Sequence, residues 1–242
     1  MSCTKKFNIK NLIYQLKMKS ILATITLSIF FYTILHAQSL GGHPSDVKWQ
    51  EINTKHVRVI FPKGLEKRAF RIASIINYEK ENHTYSIGDK SKKVDLVLQT
   101  NQVLSNGFVA LSPYRSEFFG TGLQDHSLLG SIDWLDVLSI HEYRHTLQYV
   151  NADRGFTRFL HYLQGQIGWG LSLNIAVPNW YLEGDAVLTE TTLSEAGRGR
   201  TASFFKGLRA NLLNGKEYAY MKSRNGSYKS MLPDHTKVSL RE

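Results

Sequence analysis

The segment His141-Glu142-Tyr143-Arg144-His145 constrains the fold of this chain more than any other feature. On an α-helix, residues four apart lie on one face, so both imidazoles can bind the same metal ion. Two histidines at this spacing, with a glutamate beside the first, are typical of a catalytic zinc site. The segment therefore predicts a helix that carries a Zn²⁺ site on one face.

The neighbouring residues predict that the histidine face of this helix is buried. Asp133 can cap its N-terminus, and the helix is expected to run to about Val150. One stripe of the helix contains Trp134, Leu138, His141, His145 and Gln148. Buried imidazoles are costly without a shared partner, and a metal ion is the simplest such partner. The alternative is a pair of hydrogen-bonded core histidines.

A catalytic zinc usually has three protein ligands, so a third donor is needed. Residues 147–154 contain no further histidine, which excludes the extended metzincin motif. Glu183 lies in an apolar segment of a second predicted helix, and it is predicted as the third ligand. Asp185 and Glu190 are its competitors. Asp185 lies about 200° around the helix from Glu183, whereas Glu190, two turns on, could orient a ligand histidine.

These residue types predict hydrolysis of amide bonds. Zn²⁺ lowers the pKa of a bound water and polarises the scissile carbonyl. Glu142 is predicted as the general base that takes the proton of the water and delivers it to the leaving amine. The donor to the oxyanion stays open among five residues: Tyr181, His126, His161, Tyr218 and Tyr220.

The stretches HEYRHTLQY and VPNWYLEGDAVLTET resemble the gluzincin metallopeptidases, the broad group of thermolysin and aminopeptidase N. More narrowly, they resemble an N-terminal domain of large exported bacterial proteins that often carry a β-propeller. The resemblance extends over about residues 49–233. It includes SNGFVALSPYRSEFF at 105–119 and AGRGR at 196–200.

This resemblance implies a zincin-like fold in which His141, His145 and Glu183 bind zinc and Glu142 acts as the base. The chains it resembles continue well beyond the length of this one. The domain expected at 38–242 is therefore predicted to be a C-terminally truncated metallopeptidase-like domain.

The resemblance also implies an edge strand beside the zinc helix, with which an extended peptide substrate pairs. Asn106, Gly107 and Phe108 are the candidates for the start of this strand. The alternative is an ordinary edge strand without a role in substrate binding.

Residues 1–37 are predicted to be a signal peptide. Lys17 and Lys19 precede an uncharged apolar run at 21–35, and a small residue precedes the expected cleavage point. Translation could also start at Met18. The protein is therefore expected to be exported, to the periplasm or outside a bacterial cell, without a stable membrane span after cleavage.

Charge and cysteine content limit the partners that are expected. The net charge of +10 falls to +5 for residues 38–242, because the first 37 residues contain five lysines and no acid. The remaining charges are dispersed and no nucleic-acid-binding motif occurs, so nucleic acid is not expected as a partner. The only cysteine is Cys3, so residues 38–242 cannot form a disulfide.

Hydrophobic periodicity predicts an α+β fold. Alternating and β-branched residues predict strands at 56–61 and 94–98, and a strand-like stretch at 106–119 that Pro113 interrupts. Helical spacing predicts helices at 65–85 and near 133–151, 155–174, 178–193 and 202–214. A small N-terminal sheet lobe is thus followed by a helical lobe that contains the active-site helix.

Together these features predict an exported zinc-dependent metallopeptidase that hydrolyses peptide or protein substrates. Three alternatives stay open. The chain could be a zinc hydrolase of a non-protein amide, or a non-catalytic module for binding or assembly in the cell envelope. It could also be an inactive fragment of a larger enzyme.

Overall fold

The computed structural model describes residues 18–26, 43–82, 87–123 and 132–217. The chain divides into two compact units, residues 1–42 and 43–242. In the first unit residues 18–26 are helical, and the rest of the predicted signal peptide lies outside the described residues. Within the described ranges, no helix combines the length and the apolar character needed to cross a bilayer.

The second unit has an α+β fold, which confirms the predicted fold class. In the described part of this unit the sheet has five strands: β1 (Trp49–Asn53), β2 (Val57–Pro62), β3 (Val94–Gln99), β4 (Gly107–Leu111) and β5 (Tyr114–Phe119). Their order across the sheet is β1-β2-β3-β5-β4. The central pairs β2/β3 and β3/β5 are parallel, and the outer pairs β1/β2 and β4/β5 are antiparallel. Strand β4 is therefore an edge strand.

One helix lies between the strands and the others follow the sheet. These helices are α1 (Glu66–Asn82), α2 (Trp134–Ala152), α3 (Gly155–Ala176), α4 (Asn179–Leu193) and α5 (Lys206–Leu213), with a 3₁₀ turn at Arg198–Arg200. Four helices were predicted after the sheet, and α2 to α5 confirm them with ends shifted by at most a few residues. Strand β1 was not predicted. The stretch 106–119 is a hairpin of two strands, with Pro113 in the turn between them.

The main hydrophobic core lies between the sheet and helices α1 and α2. Strand β2 alternates between buried and partly exposed residues, so one face of the strand packs inward. The core is formed by Val57, Val59, Phe61, Ala69, Ile72, Ala73, Ile76, Val94, Leu96, Leu98, Phe118, Leu135, Leu138, Tyr143 and Leu147. This packing fixes α2 against the sheet and so determines where its histidines lie.

Glu79 is an acidic residue buried on the inner side of α1. Glu79 is 1% exposed, and neither of its carboxyl oxygens has a hydrogen-bond partner among the described residues. Burial raises the pKa of Glu79 well above its ordinary value, although the positive charges of Arg144 and His141 act in the opposite direction. The folded state therefore favours the protonated carboxyl.

Replacing Glu79 with glutamine should stabilise the protein at pH 8 and have little effect near pH 4.5. Above the pKa of the unfolded carboxyl, only the unfolded state ionises freely, so the stability of the wild type falls as the pH rises. Glutamine removes that loss, and Tm should rise by about 2–4 °C for each kcal/mol gained. Thermal unfolding at both pH values measures this difference. Glu81→Gln, at an exposed position of α1, is the control, and an equal shift in both variants would contradict the prediction.

Candidate metal centre

Helix α2 brings His141 and His145 together on its buried face. Asp133 caps the helix as predicted, because its carboxylate accepts a hydrogen bond from the backbone N–H of Leu135 at 2.8 Å. Both imidazoles are buried, and their Nε2 atoms lie 3.2 Å apart. His141 and His145 are one turn apart on α2, and their Nε2 atoms therefore face a common point.

Helix α4 supplies the third donor. It begins at Asn179, directly after Pro178, and brings the Glu183 carboxylate to the two histidines. One oxygen of Glu183 lies 3.5 Å from His141 Nε2, and the other lies 3.6 Å from His145 Nε2. The donor atoms of the three side chains all lie within 4.8 Å of one another, so this group could hold one metal ion.

The outer nitrogen of each histidine has its own partner. Glu190 Oε2 lies 2.9 Å from Nδ1 of His141, and Gln148 Oε1 lies 2.8 Å from Nδ1 of His145. The Gln148 amide in turn donates to the carbonyl of Leu182. These contacts at the Nδ1 atoms hold both rings so that their Nε2 atoms face Glu183.

The two competing carboxylates lie elsewhere. Asp185 forms a two-point ion pair with the buried Arg144, at 2.7 and 2.8 Å, and also accepts from Gln148. Glu190 is fully buried behind His141, on the side away from Glu183 Oε2. Neither belongs to the group of donors that could share one ion.

Arg198 is a member of the site that had no predicted role. Its guanidinium donates to both oxygens of Glu190, at 2.6 and 2.8 Å. A Cβ at the preceding Gly197 would lie 2.6 Å from the Glu190 carbonyl oxygen, so only glycine lets this turn pack closely on α4. The partly exposed Arg198 and the buried Glu190 thus form an ion pair behind His141.

Burial and neighbouring charges set the protonation of the group. Burial alone would lower the pKa of His141, but hydrogen bonds to Glu183 and Glu190 outweigh it and raise the pKa. Burial and the charge of His141 lower the pKa of His145 to about 4, so His145 is neutral at pH 7. Burial acts to raise the pKa of Glu183, but its histidine contacts lower it, so this carboxylate is ionised. A neutral imidazole and a carboxylate are suitable metal ligands.

Glu142 lines the same site, but its pKa is raised, whereas the pKa of Glu183 is lowered. Burial is the main cause that raises its pKa to about 7, and the carboxylates of Glu183 and Glu190 act in the same direction. His141 and Arg198 partly offset this increase. A carboxyl that titrates near neutral pH can both accept and return a proton.

A cavity of about 280 Å³ opens onto the donor group. Asn106, Gly107 and Phe108, at the start of edge strand β4, line it together with Glu142 and the three donors. A Cβ at Gly107 would lie 2.7 Å from Leu138 Cδ1, so glycine allows β4 to lie close against α2. The structure therefore places the predicted edge strand directly beside the donor group.

The structure also reduces the number of residues that could donate a hydrogen bond to the oxyanion. Tyr181 and His161 do not line this cavity, and the His161 ring instead stacks on Trp169. His126, Tyr218 and Tyr220 lie outside the described residues. The hydrogen-bond donors that do line the cavity include Tyr149 and Arg198. Tyr149 was not predicted as a site residue. It lies four residues after His145, however, and this spacing places both side chains on the same face of α2.

Comparison of the chain with protein-family models, with characterised proteins and with solved structures finds no match. The gluzincin resemblance therefore stays a prediction from the sequence motifs. The fold and the site define a class: an α+β protein with a buried His-His-Glu group that could hold a metal ion beside an open cavity. The function is inferred from the residues of that site.

Proposed function

We propose that this protein is an exported zinc-dependent metallopeptidase of the gluzincin type. The observation that carries the proposal is the spacing of the donors. Zinc ligands at about 2.0–2.1 Å in a tetrahedron lie about 3.3 Å from one another. His141 Nε2 and His145 Nε2 lie 3.2 Å apart, one oxygen of Glu183 lies 3.5 Å from His141 Nε2, and its other oxygen lies 3.6 Å from His145 Nε2. With one atom taken from each side chain, the three donors all lie within 4.8 Å of one another. Two imidazoles and one carboxylate also favour zinc over a hard ion such as Ca²⁺.

Zinc held by His141, His145 and Glu183 would act as a Lewis acid that acidifies a water molecule and polarises a carbonyl. Glu142 takes the proton of the attacking water and passes it to the leaving amine. Burial raises the pKa of Tyr149, so its hydroxyl stays protonated and can donate a hydrogen bond to the developing oxyanion.

The edge strand supports a peptide as the substrate. Among the residues that the structure describes, strand β4 pairs with β5 alone, so the backbone groups on its other side can pair with an extended chain. Its first residues line the cavity that contains the donor group. Pairing along β4 would hold the main chain of a substrate beside Glu142, and a small amide substrate would not use this edge.

The predicted signal peptide is the basis for placing the protein outside the cytoplasm. Its basic residues and uncharged apolar run are features of export signals. A peptide or protein in the periplasm or the medium is therefore the proposed partner.

Metal analysis combined with peptide cleavage tests the proposed function. The purified full chain should contain close to one zinc ion per molecule and cleave members of a mixed peptide library. A chelator should abolish cleavage, and added zinc should restore it. Folded protein that contains zinc but cleaves no peptide would contradict the peptidase assignment. A parallel set of non-peptide amides serves as the control for substrate class.

A further inference from the structure

A second cavity adjoins the metal-site cavity along edge strand β4. It has a volume of about 380 Å³ and shares Val109 and Tyr149 with the first cavity. Its walls come from the end of β4, the second half of α3 and the start of α4. The two cavities thus follow one another along the strand that is proposed to hold the substrate.

The linings of the two cavities differ in charge. His141, Glu142, His145, Glu183 and Arg198 line the metal-site cavity. No charged side chain is among the described residues that line the second cavity, and its apolar residues include Leu111, Ile167, Leu171 and Leu182. Ile167 and Leu171 are 61% and 59% exposed, so its walls present apolar surface to solvent. An apolar group that entered this cavity would remove that surface from water.

The walls of the second cavity are held in place by contacts between α3 and the β4/β5 hairpin. The side-chain oxygen of Gln166 accepts a hydrogen bond from the backbone N–H of Tyr114 at 3.3 Å. A Cβ at Gly170 would lie 3.7 Å from the Cβ of Leu111, so the helix approaches the end of the strand closely. The cavity is therefore a formed pocket between packed elements.

The length of β4 sets the distance from the donor group to this pocket. Strand residues advance about 3.3 Å each, so Gly107 and Leu111 lie about 13 Å apart along β4. A substrate paired with β4 advances at the same rate. If its scissile bond lies at the donor group, the side chain that reaches the second cavity belongs to a residue two to four positions away.

We propose that this second cavity is a substrate pocket for a large apolar side chain. The substrates are accordingly peptides with an aliphatic or aromatic residue two to four positions from the scissile bond, on one side of it. This inference rests on the proposed peptidase function and adds the class of substrate to it.

Cleavage of quenched fluorescent peptides tests the pocket. Each peptide carries Leu, Phe or Asp at one of the positions two to four residues before or after the scissile bond. We expect kcat/KM to be at least 10-fold higher for Leu or Phe than for Asp at one of these positions. Leu171→Arg should abolish that preference and favour Asp at the same position, because it places a positive charge in the pocket wall.

Leu163→Arg is the matched control. Leu163 lies on the first segment of α3, before Gly165 interrupts the helix, and it is equally exposed, at 62%, but does not line the second cavity. This variant should keep the preference of the wild type. The proposed substrate pocket is contradicted if the wild type cleaves peptides without such a preference. It is also contradicted if Leu163→Arg and Leu171→Arg change the preference equally. Either result would leave the proposed peptidase function intact.

Binding of the same peptides to the zinc-loaded Glu142→Gln protein separates the two proposals. Tighter binding of the Leu and Phe peptides than of the Asp peptides, abolished by adding Leu171→Arg, supports the pocket even if the wild type cleaves none of them. That result would contradict only the peptidase function. Equal binding of all peptides would overturn the pocket.

Discussion

Replacing Glu142 with glutamine should leave the zinc content unchanged and lower peptide turnover by about 100-fold or more. Glutamine keeps the size of the side chain but cannot accept the proton of the attacking water. Glu142 lies in the lining of the cavity and outside the group of three donors, so its loss should not weaken metal binding. Elemental analysis and kcat on a cleavable peptide measure the two effects separately.

A carboxylate outside the cavity provides the comparison for this variant. Glu195 is absent from the residues that line the metal-site cavity, so Glu195→Gln should keep the turnover of the wild type. Loss of zinc from the Glu142→Gln protein would show that Glu142 is a ligand. Full turnover in that protein would show that another residue is the base.

Removal of single donors should produce a graded loss of zinc affinity. His141→Ala, His145→Ala and Glu183→Ala each leave two protein ligands, and affinity should fall by far more than 100-fold. Glu190→Gln and Asp185→Asn alter groups that contact a ligand or its partner, and such changes typically cost about 10–100-fold. Zinc titration against a competing chelator measures the order, with thermal unfolding to show that each variant is folded.

The turn at 198–200 offers an internal comparison for the same titration. Arg198 binds both oxygens of Glu190, whereas Arg200 donates to the backbone carbonyls of Thr191 and Ser194. Arg198→Gln should weaken zinc binding and Arg200→Gln should not. A ranking in which Asp185 or Glu190 matters more than Glu183 would remove the gluzincin assignment.

Features that depend on a short stretch of sequence were predicted well. The cap at Asp133 and the common face of His141 and His145 follow from helix geometry alone. Glu183 was predicted to lie near them because a catalytic zinc usually has a third protein ligand. That placement agrees with the distances in the structure.

Several features that depend on contacts between distant segments were not predicted. Strand β1, with the sequence WQEIN, lies at the sheet edge and has no buried face that alternation could reveal. Arg198 acquires a role only because its turn packs on α4 beside Glu190. Glu79 has a charged side chain that would ordinarily be assigned to the surface, and only the packing of α1 shows that it is buried.

The two imidazoles, and the helix that carries Glu183, are held in place by contacts that involve only the protein. Glu190 and Gln148 hold the two imidazoles, and the ion pair between Arg144 and Asp185 fastens α2 to α4 close to Glu183. Because folding already orders these ligands, little conformational entropy remains to be lost when an ion arrives. An ion bound at this site would then be lost and recovered without unfolding of the protein. The passage of the ion through the cavity, and not refolding of the chain, would set the rate of reconstitution.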